Sequence, residues 1–330
     1  MVSERRRWVL ASTLALAACG SSANNTSNTW RKVSSTPQTR FEGYAACDGA
    51  HVWYIGGILD DSPAQNAPQP SARVDVLEVG TNRWSRGPDL PAEAPKHHLT
   101  VARAGSTIWV LSGFDGILDS NMPFVPKATA FVLEGGRWRR LRDAPNARGG
   151  ATAQVIGGKI YVAGGAPTEE APSIAALDVY DPATDAWTTR APMPTPREHV
   201  ASCVVGGKLL VIGGWNEKRE VQNVVEAYDP ATDQWSRFPD LPTARGGLSA
   251  VNIGERCYAV GGETWSVPPP ATFAANEMLD PKTNRWSVMA PMPTPRHGLG
   301  LTVVGSEIWA LGGGPSQGNS YTAVIEAYRP

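Results

Sequence analysis

Long apolar runs are missing from most of this chain. After residue 18 no stretch approaches the roughly 20 residues needed to cross a bilayer. Charge is sparse and balanced, with 30 Lys and Arg against 31 Asp and Glu, so the overall field marks no nucleic-acid partner. The four cysteines, at 19, 47, 203 and 257, include no CxxC pair of the kind that holds zinc or cycles as a dithiol. Long helical patterns are absent too. In their place, 34 Gly and 28 Pro punctuate short apolar runs rich in Val, Ile, Trp and Tyr, which predicts an all-β chain.

The first 18 residues differ from the rest. Arg5-Arg6-Arg7 leads into the short apolar run Trp8–Leu16, the pattern of an export signal. Leu16-Ala17-Ala18-Cys19 resembles the bacterial lipobox, and the resemblance implies cleavage before Cys19 and acylation of its thiol. The arginine run also loosely resembles a twin-arginine signal. The expected organisation is a signal peptide over 1–18, a polar tether over 19–29 and one domain over 30–330. Such a chain would sit in a bacterial cell envelope, lipid-anchored at the outer membrane or on the periplasmic side of the inner membrane. Loss of 1–18 removes three Arg and one Glu, which takes the formal charge from −1 to −3.

One pattern then recurs six times. Apolar runs end in glycine at Gly57, Gly113, Gly165, Gly214, Gly262 and Gly313, at intervals of 56, 52, 49, 48 and 51 residues. A basic residue stands 17 positions before each: Arg40, Lys96, Arg148, Arg197, Arg245 and Arg296. A Trp precedes the basic residue by 10 positions, or by 12 in the second copy: Trp30, Trp84, Trp138, Trp187, Trp235 and Trp286. This period falls where propeller blades fall.

The third copy reads as four strands. Gly149–Ile156 is a small-residue strand, Gly157-Gly158 a hairpin turn, and Lys159–Ala163 a second strand stopped by Gly164-Gly165. Ala176–Tyr180 is the third strand, and Trp187 sits on a fourth. A double glycine, an acidic-aliphatic-Tyr third strand and a fourth-strand Trp together resemble the Kelch repeat, over residues 30–330. The resemblance implies an all-β, six-bladed propeller with four antiparallel strands per blade and the first strand of each nearest the axis. Trp30 opens the chain as an isolated fourth strand and Val324–Tyr328 ends it as a third. The N-terminal strand should therefore complete the last blade and close the ring. Cys47 and Cys203 lie on first strands of repeats one and four, across the ring from each other. Cys47, Cys203 and Cys257 are accordingly expected as buried, unbonded residues.

Alternating strand direction puts the loops that enter each first strand, and those that follow each glycine pair, on one mouth. The six basic residues belong to that mouth, and two readings of them stand side by side. They bind an acidic ligand, as arginines at this place do in some eukaryotic Kelch propellers, or they pair with third-strand Asp75, Asp178, Glu226, Glu277 and Glu326, with Thr129 in blade two. Residues that break the repeat are the better candidates for chemistry. The two positions after the basic residue read Phe41-Glu42, His97-His98, Gly149-Gly150, Glu198-His199, Gly246-Gly247 and His297-Gly298. His98, His199 and His297 mark alternate blades. Three imidazoles converging on a channel would suit a transition metal, but their unequal offsets predict histidines that point differently, so no metal or cofactor is expected. Glu198 is a candidate general base, and Glu217 a second acid from the loops, where Trp215, Trp265 and Tyr321 offer stacking surfaces.

The functional expectation is a monomeric, membrane-anchored propeller that binds a protein or an acidic small ligand through a basic mouth. The alternative is an enzyme resembling the exported six-bladed N-acetylneuraminate epimerases, in which arginines would meet a sugar carboxylate while Glu198 or Glu217 moves a proton. Six blades are unlike the seven of the copper-radical sugar oxidases. The Glu, Asp and His run of the plant specifier propellers is also missing.

Overall fold

The computed structural model describes residues 27–60, 69–116, 124–168, 171–265 and 271–330. Cys19, the export signal and most of the tether lie outside them. Among the described residues there are strands and no helix, and they form five four-stranded antiparallel blades and a five-stranded blade two, with two small satellite sheets.

Blade three shows how the sequence makes one. Thr152–Ile156 pairs with Lys159–Ala163 across Gly157-Gly158, whose φ values of 59 and 79 are open to glycine at no steric cost. Leu177–Asp181 and Ala186–Arg190 complete the sheet, and the second strand is exposed at Lys159 beside the turn and buried from Ile160 to Ala163. Blades one, two, four and five repeat this with first strands Tyr44–Cys47, His97–Ala104, Ala201–Val205 and Ser249–Ile253. Blade six takes Gly300–Val304, Glu307–Leu311 and Val324–Arg329 from the end of the chain. Its fourth strand is Thr29–Ser35, paired so that Trp30 faces Tyr328. Blade six in turn meets blade one, where Glu42 N donates to Gly298 O at 2.7 Å and Gly313 N to Arg40 O at 2.9 Å.

The core lies between blades rather than within them. One cluster joins Cys203, Leu210 and Ile212 of blade four to Leu248, Cys257 and Ala259 of blade five. The fourth-strand tryptophans tie neighbours together at the outer edge. Each indole Nε1 donates to a backbone carbonyl of the preceding blade: Trp30 to Ala290, Trp84 to Ser35, Trp138 to Pro88, Trp187 to Arg142, Trp235 to Ala191 and Trp286 to Pro239, all at 2.8–3.1 Å. A half-buried indole satisfied in this way carries apolar contact on its body and a hydrogen bond at its tip.

The cysteines correct the sequence expectation. Cys203 and Cys257 form a disulfide with Cα atoms 5.9 Å apart, while Cys47 is free and buried. The first strand of blade four lies against the second strand of blade five, so residues 54 positions apart become lateral neighbours. Closing a loop of that length stabilises by about 4 kcal/mol in the chain-entropy account. Reduction is therefore expected to lower Tm by roughly 8 °C, measured by calorimetry with and without a phosphine reductant. A Cys203→Ser, Cys257→Ser double variant should have lost that sensitivity, and an unchanged wild-type melt would refute the bond.

Candidate functional site

The basic ring is structural in this fold. Arg40, Arg148, Arg197, Arg245 and Arg296 are all fully buried. Each guanidinium turns back into its own blade to the third-strand carboxylate: Asp75 at 2.5 Å, Asp178 at 2.7 Å, Glu226 at 2.9 Å, Glu277 at 2.6 Å and Glu326 at 2.7 Å. The same groups hold carbonyls around the glycine pair, as when Arg197 donates to Gly213 O at 2.7 Å and Val224 O at 2.8 Å. Lys96 is the exception. Blade two carries its third-strand acid, Glu134, at the turn into the fourth strand rather than opposite Lys96, whose ammonium goes to Asp115 at 2.7 Å, with both side chains partly exposed. Five of the six cations thus have their charge matched and desolvated inside the blades, and the sixth, Lys96, is paired with Asp115, so they do not form the expected ligand-binding mouth.

What lines the mouth instead is the second residue after each basic position. Glu42, His98, Gly150, His199, Gly247 and Gly298 all have left-handed φ, from 48 to 65. Four of their N–H groups reach the carbonyl of the neighbouring blade's equivalent residue, from Glu42 to Gly298, Gly150 to His98, Gly247 to His199 and Gly298 to Gly247. This inter-blade ring fixes the conformation. Glycine adopts it freely, but Glu42, His98 and His199 hold it at a cost of about 1–2 kcal/mol each. Their side chains meet on the axis, where one ligand-capable atom from each falls within 4.8 Å of the others. The rings of His98 and His199 are 4.8 Å apart at 80°, and His98 Nε2 is 3.7 Å from Glu42 Oε2.

The first residue after each basic position points elsewhere. Glu198 is buried beneath the loop that follows its own glycine pair, takes a 3.1 Å hydrogen bond from Trp215 Nε1, and has Oε2 3.6 Å from His199 Nδ1. Trp215 stacks on His199 at 4.3 Å and 28°. His297 is buried outside the axial cluster, with Nδ1 3.3 Å from Glu263 and Nε2 3.1 Å from the carbonyls of Ser316 and Gly318. Glu217 is exposed in the blade-four loop. Of the expected catalytic residues, His98, His199 and Glu198 therefore come together, while His297 and Glu217 do not join them. Glu42 escaped the sequence reading, although it shares the register of His98 and His199.

The cluster borders a cavity of about 110 Å³ whose wall continues through Thr152, Gln154, Ser202 and Ser249 of the first strands. Thr152 and Ser202 share a 2.5 Å hydrogen bond, and Gln154 Nε2 donates to Ser202 O. Toward the opposite face a second cavity, about 220 Å³, is bordered by Arg103 and Asn252. Above the cluster, Arg219 lies over the Trp265 ring at 4.8 Å.

Burial sets the titration of two of these imidazoles. His97 is held down to about 3 chiefly by desolvation, against weaker raising by Gly116 O and Asp115. Desolvation also keeps His98 well below the usual imidazole range, followed by repulsion from His199, His97, His297 and Arg219. A depressed folded value means that the unfolded chain binds the proton first. Stability is full above about 6.5 and falls as the pH drops toward the folded value. His97 alone should remove roughly 3 kcal/mol between pH 6.5 and 4. Urea melts across that range should show a slope that His97→Gln flattens, and equal slopes in the two proteins would contradict this account.

The matches to known proteins agree with the architecture. The KLHDC2/KLHL20/DRC7 Kelch-repeats domain model matches residues 65–262 and 125–313, together three quarters of the chain. Kelch-like protein terF of Aspergillus terreus is 27% identical over 88% of this chain and 64% of its own length. Beta-scruin of Limulus polyphemus is 26% identical over 84% and 31%, and Kelch-like protein 23 of Pongo abelii 28% over 79% and 44%. The chain thus spans from about a third to under two thirds of these relatives' lengths. A solved structure of YjhT superposes with a TM-score of 0.73 over 89% of this chain and 95% of that one, at 15% identity, a likeness of fold. With six blades, six glycine-terminated second strands and six indole ties matched by a family model over most of its length, the chain belongs to the Kelch-repeat family.

Proposed function

We propose that this protein is a ligand-binding propeller of the bacterial cell envelope, anchored through lipid on Cys19 and monomeric, whose site is the axial mouth around Glu42, His98 and His199. The carrying observation is that three side chains hold a backbone conformation that glycine takes in the other three blades, and hold it where they meet. Strain retained at a point of convergence is a mark of a functional site. The Cys203–Cys257 bond supports residence in an oxidising compartment.

The ligand we infer is small and rich in hydroxyls, of the carbohydrate class. Thr152, Ser202, Ser249 and Gln154 present alcohol and amide groups below the cluster, with the exposed Trp265 beside Arg219 above it. The paired arginines leave no basic ring to select an acid. A proton-transfer enzyme is the second reading, favoured by the buried Glu198, whose Oε2 makes no hydrogen bond and lies beside His199. Saturation-transfer NMR with neutral and acidic monosaccharides tests both. Neutral sugars should bind and Ser202→Ala should weaken them. Binding confined to acidic sugars, or retained in Ser202→Ala, would refute the pocket assignment. No binding by any sugar would refute the ligand class and direct crosslinking toward a protein partner.

A further inference from the structure

We propose that Glu42, His98 and His199 form a site for a divalent first-row transition ion, zinc or its neighbours, at the mouth end of the axial channel. The inference rests on the same mouth as the proposed function but concerns an ion rather than an organic ligand, so either can fail alone.

The argument begins with a chain of hydrogen bonds that fixes a tautomer. Gly116 O can only accept, so His97 Nε2, 3.3 Å from it, carries the proton of that contact. His97 is fully buried, and a neutral imidazole has one N–H, so its Nδ1 is a bare lone pair. That Nδ1 lies 2.7 Å from His98 Nδ1, which must then be the donor. His98 Nε2 is consequently the unprotonated nitrogen, and it faces the axis.

Opposite it, at 3.7 Å, stands the carboxylate of Glu42. Two electron-rich atoms are thus turned toward each other in a nearly closed space, with the side chains of His98 and Glu42 6% and 12% exposed. A direct hydrogen bond is out of reach at that distance. A cation placed between the two would be held by both. His199 supplies the third donor, giving two imidazoles and a carboxylate, a set suited to zinc, iron or cobalt.

The surroundings fit such an ion. Each imidazole has a partner outside the cluster: His97 behind His98, and Glu198 3.6 Å from His199 Nδ1, itself fixed by Trp215. Groups of this kind orient the ligands of bound metals. Gly150, Gly247 and Gly298 occupy the remaining three positions of the ring without side chains, so half of the coordination sphere stays open to water or substrate. A Cβ at Gly298 would come within 2.4 Å of Glu42 Oε1, so the missing side chain is what lets that carboxylate stand on the axis. Bringing donors from within 4.8 Å of one another to bonding distance takes shifts of about an ångström, within side-chain reach.

The test uses the purified protein stripped with chelator and titrated with Co²⁺ and Zn²⁺ alone. Glu42→Gly, His98→Gly and His199→Gly place at each position the residue that the other three blades carry, so the backbone tolerates them; melting curves with the disulfide intact verify folding. The expected result is one equivalent of Co²⁺ with visible absorption from a distorted site, displaced by Zn²⁺. Each single variant should weaken binding by 10- to 100-fold, and the triple variant should abolish it. A folded triple variant that binds like the wild type would overturn the proposal, as would a wild type that binds no ion at millimolar concentration. Cys47→Ser should leave the spectrum unchanged, and a band lost with it would assign the ion to the thiol instead.

Discussion

Glu226→Ala is expected to destabilise the protein by about 3–5 kcal/mol, the cost of leaving a guanidinium buried without its counter-charge. Arg197 is fully buried, and among the described residues Glu226 is its one carboxylate partner, at 2.9 Å. The same glutamate accepts from Thr195 Oγ1 at 2.7 Å, so the substitution orphans a hydroxyl as well. Arg197→Met should cost about as much, since Glu226 is then the buried charge without a partner cation and the carbonyls of Gly213 and Val224 lose their donor. Because the two losses overlap, the double variant should be less damaged than their sum, and a double-mutant cycle read by calorimetry measures the coupling. Blade two is the internal contrast. Lys96 and Asp115 are partly exposed, so Asp115→Ala should cost about 1 kcal/mol or less. Equal losses at Asp115 and Glu226 would show that burial is not what gives the arginine pairs their weight.

That contrast also marks how far the sequence could be read. Period, strand order and the acids facing each arginine follow from spacing, because a repeat forces equivalent positions into equivalent places. Choosing between a binding ring and a paired one required the direction of each side chain. Arg148 and Arg296 are long enough to fold back onto Asp178 and Glu326, and nothing in the spacing says that they do. The same limit hid Glu42. Its register matched His98 and His199, but the left-handed backbone that swings all three inward is imposed by hydrogen bonds between blades. His297, one residue earlier in its repeat, is directed under a loop toward Glu263. Cys203 and Cys257 differ in strand position within their repeats, so their meeting depends on lateral packing, which no single repeat encodes.

Gly246→Ala should do the most damage to the site for the smallest change in chemistry. Gly246 has an ordinary backbone conformation, so alanine is permitted there by φ. Its added Cβ, however, would lie 2.1 Å from Trp215 Cε3 and 2.6 Å from Cζ3. The indole must leave a position where it is 2% exposed, at a cost of about 3 kcal/mol, between overpacking and loss of a buried aromatic. Trp215 holds Glu198 through its Nε1 and His199 through stacking, so both are released together. Binding of Co²⁺ at the axis should therefore weaken at least tenfold, although Gly246 is not one of the three ligands. A second substitution separates the two effects. Trp215→Leu in the Gly246→Ala background removes the clash and should restore most of the lost stability, but with no indole to orient Glu198 and His199 it should leave the affinity low. Gly149→Ala should act in the same way through Phe114, whose ring would lie 2.3 Å from the new Cβ and packs against His98 at 5.6 Å. Recovery of affinity along with stability in the double variant would mean that the histidines are positioned by their own backbone ring alone, with the aromatic residues serving only as filling.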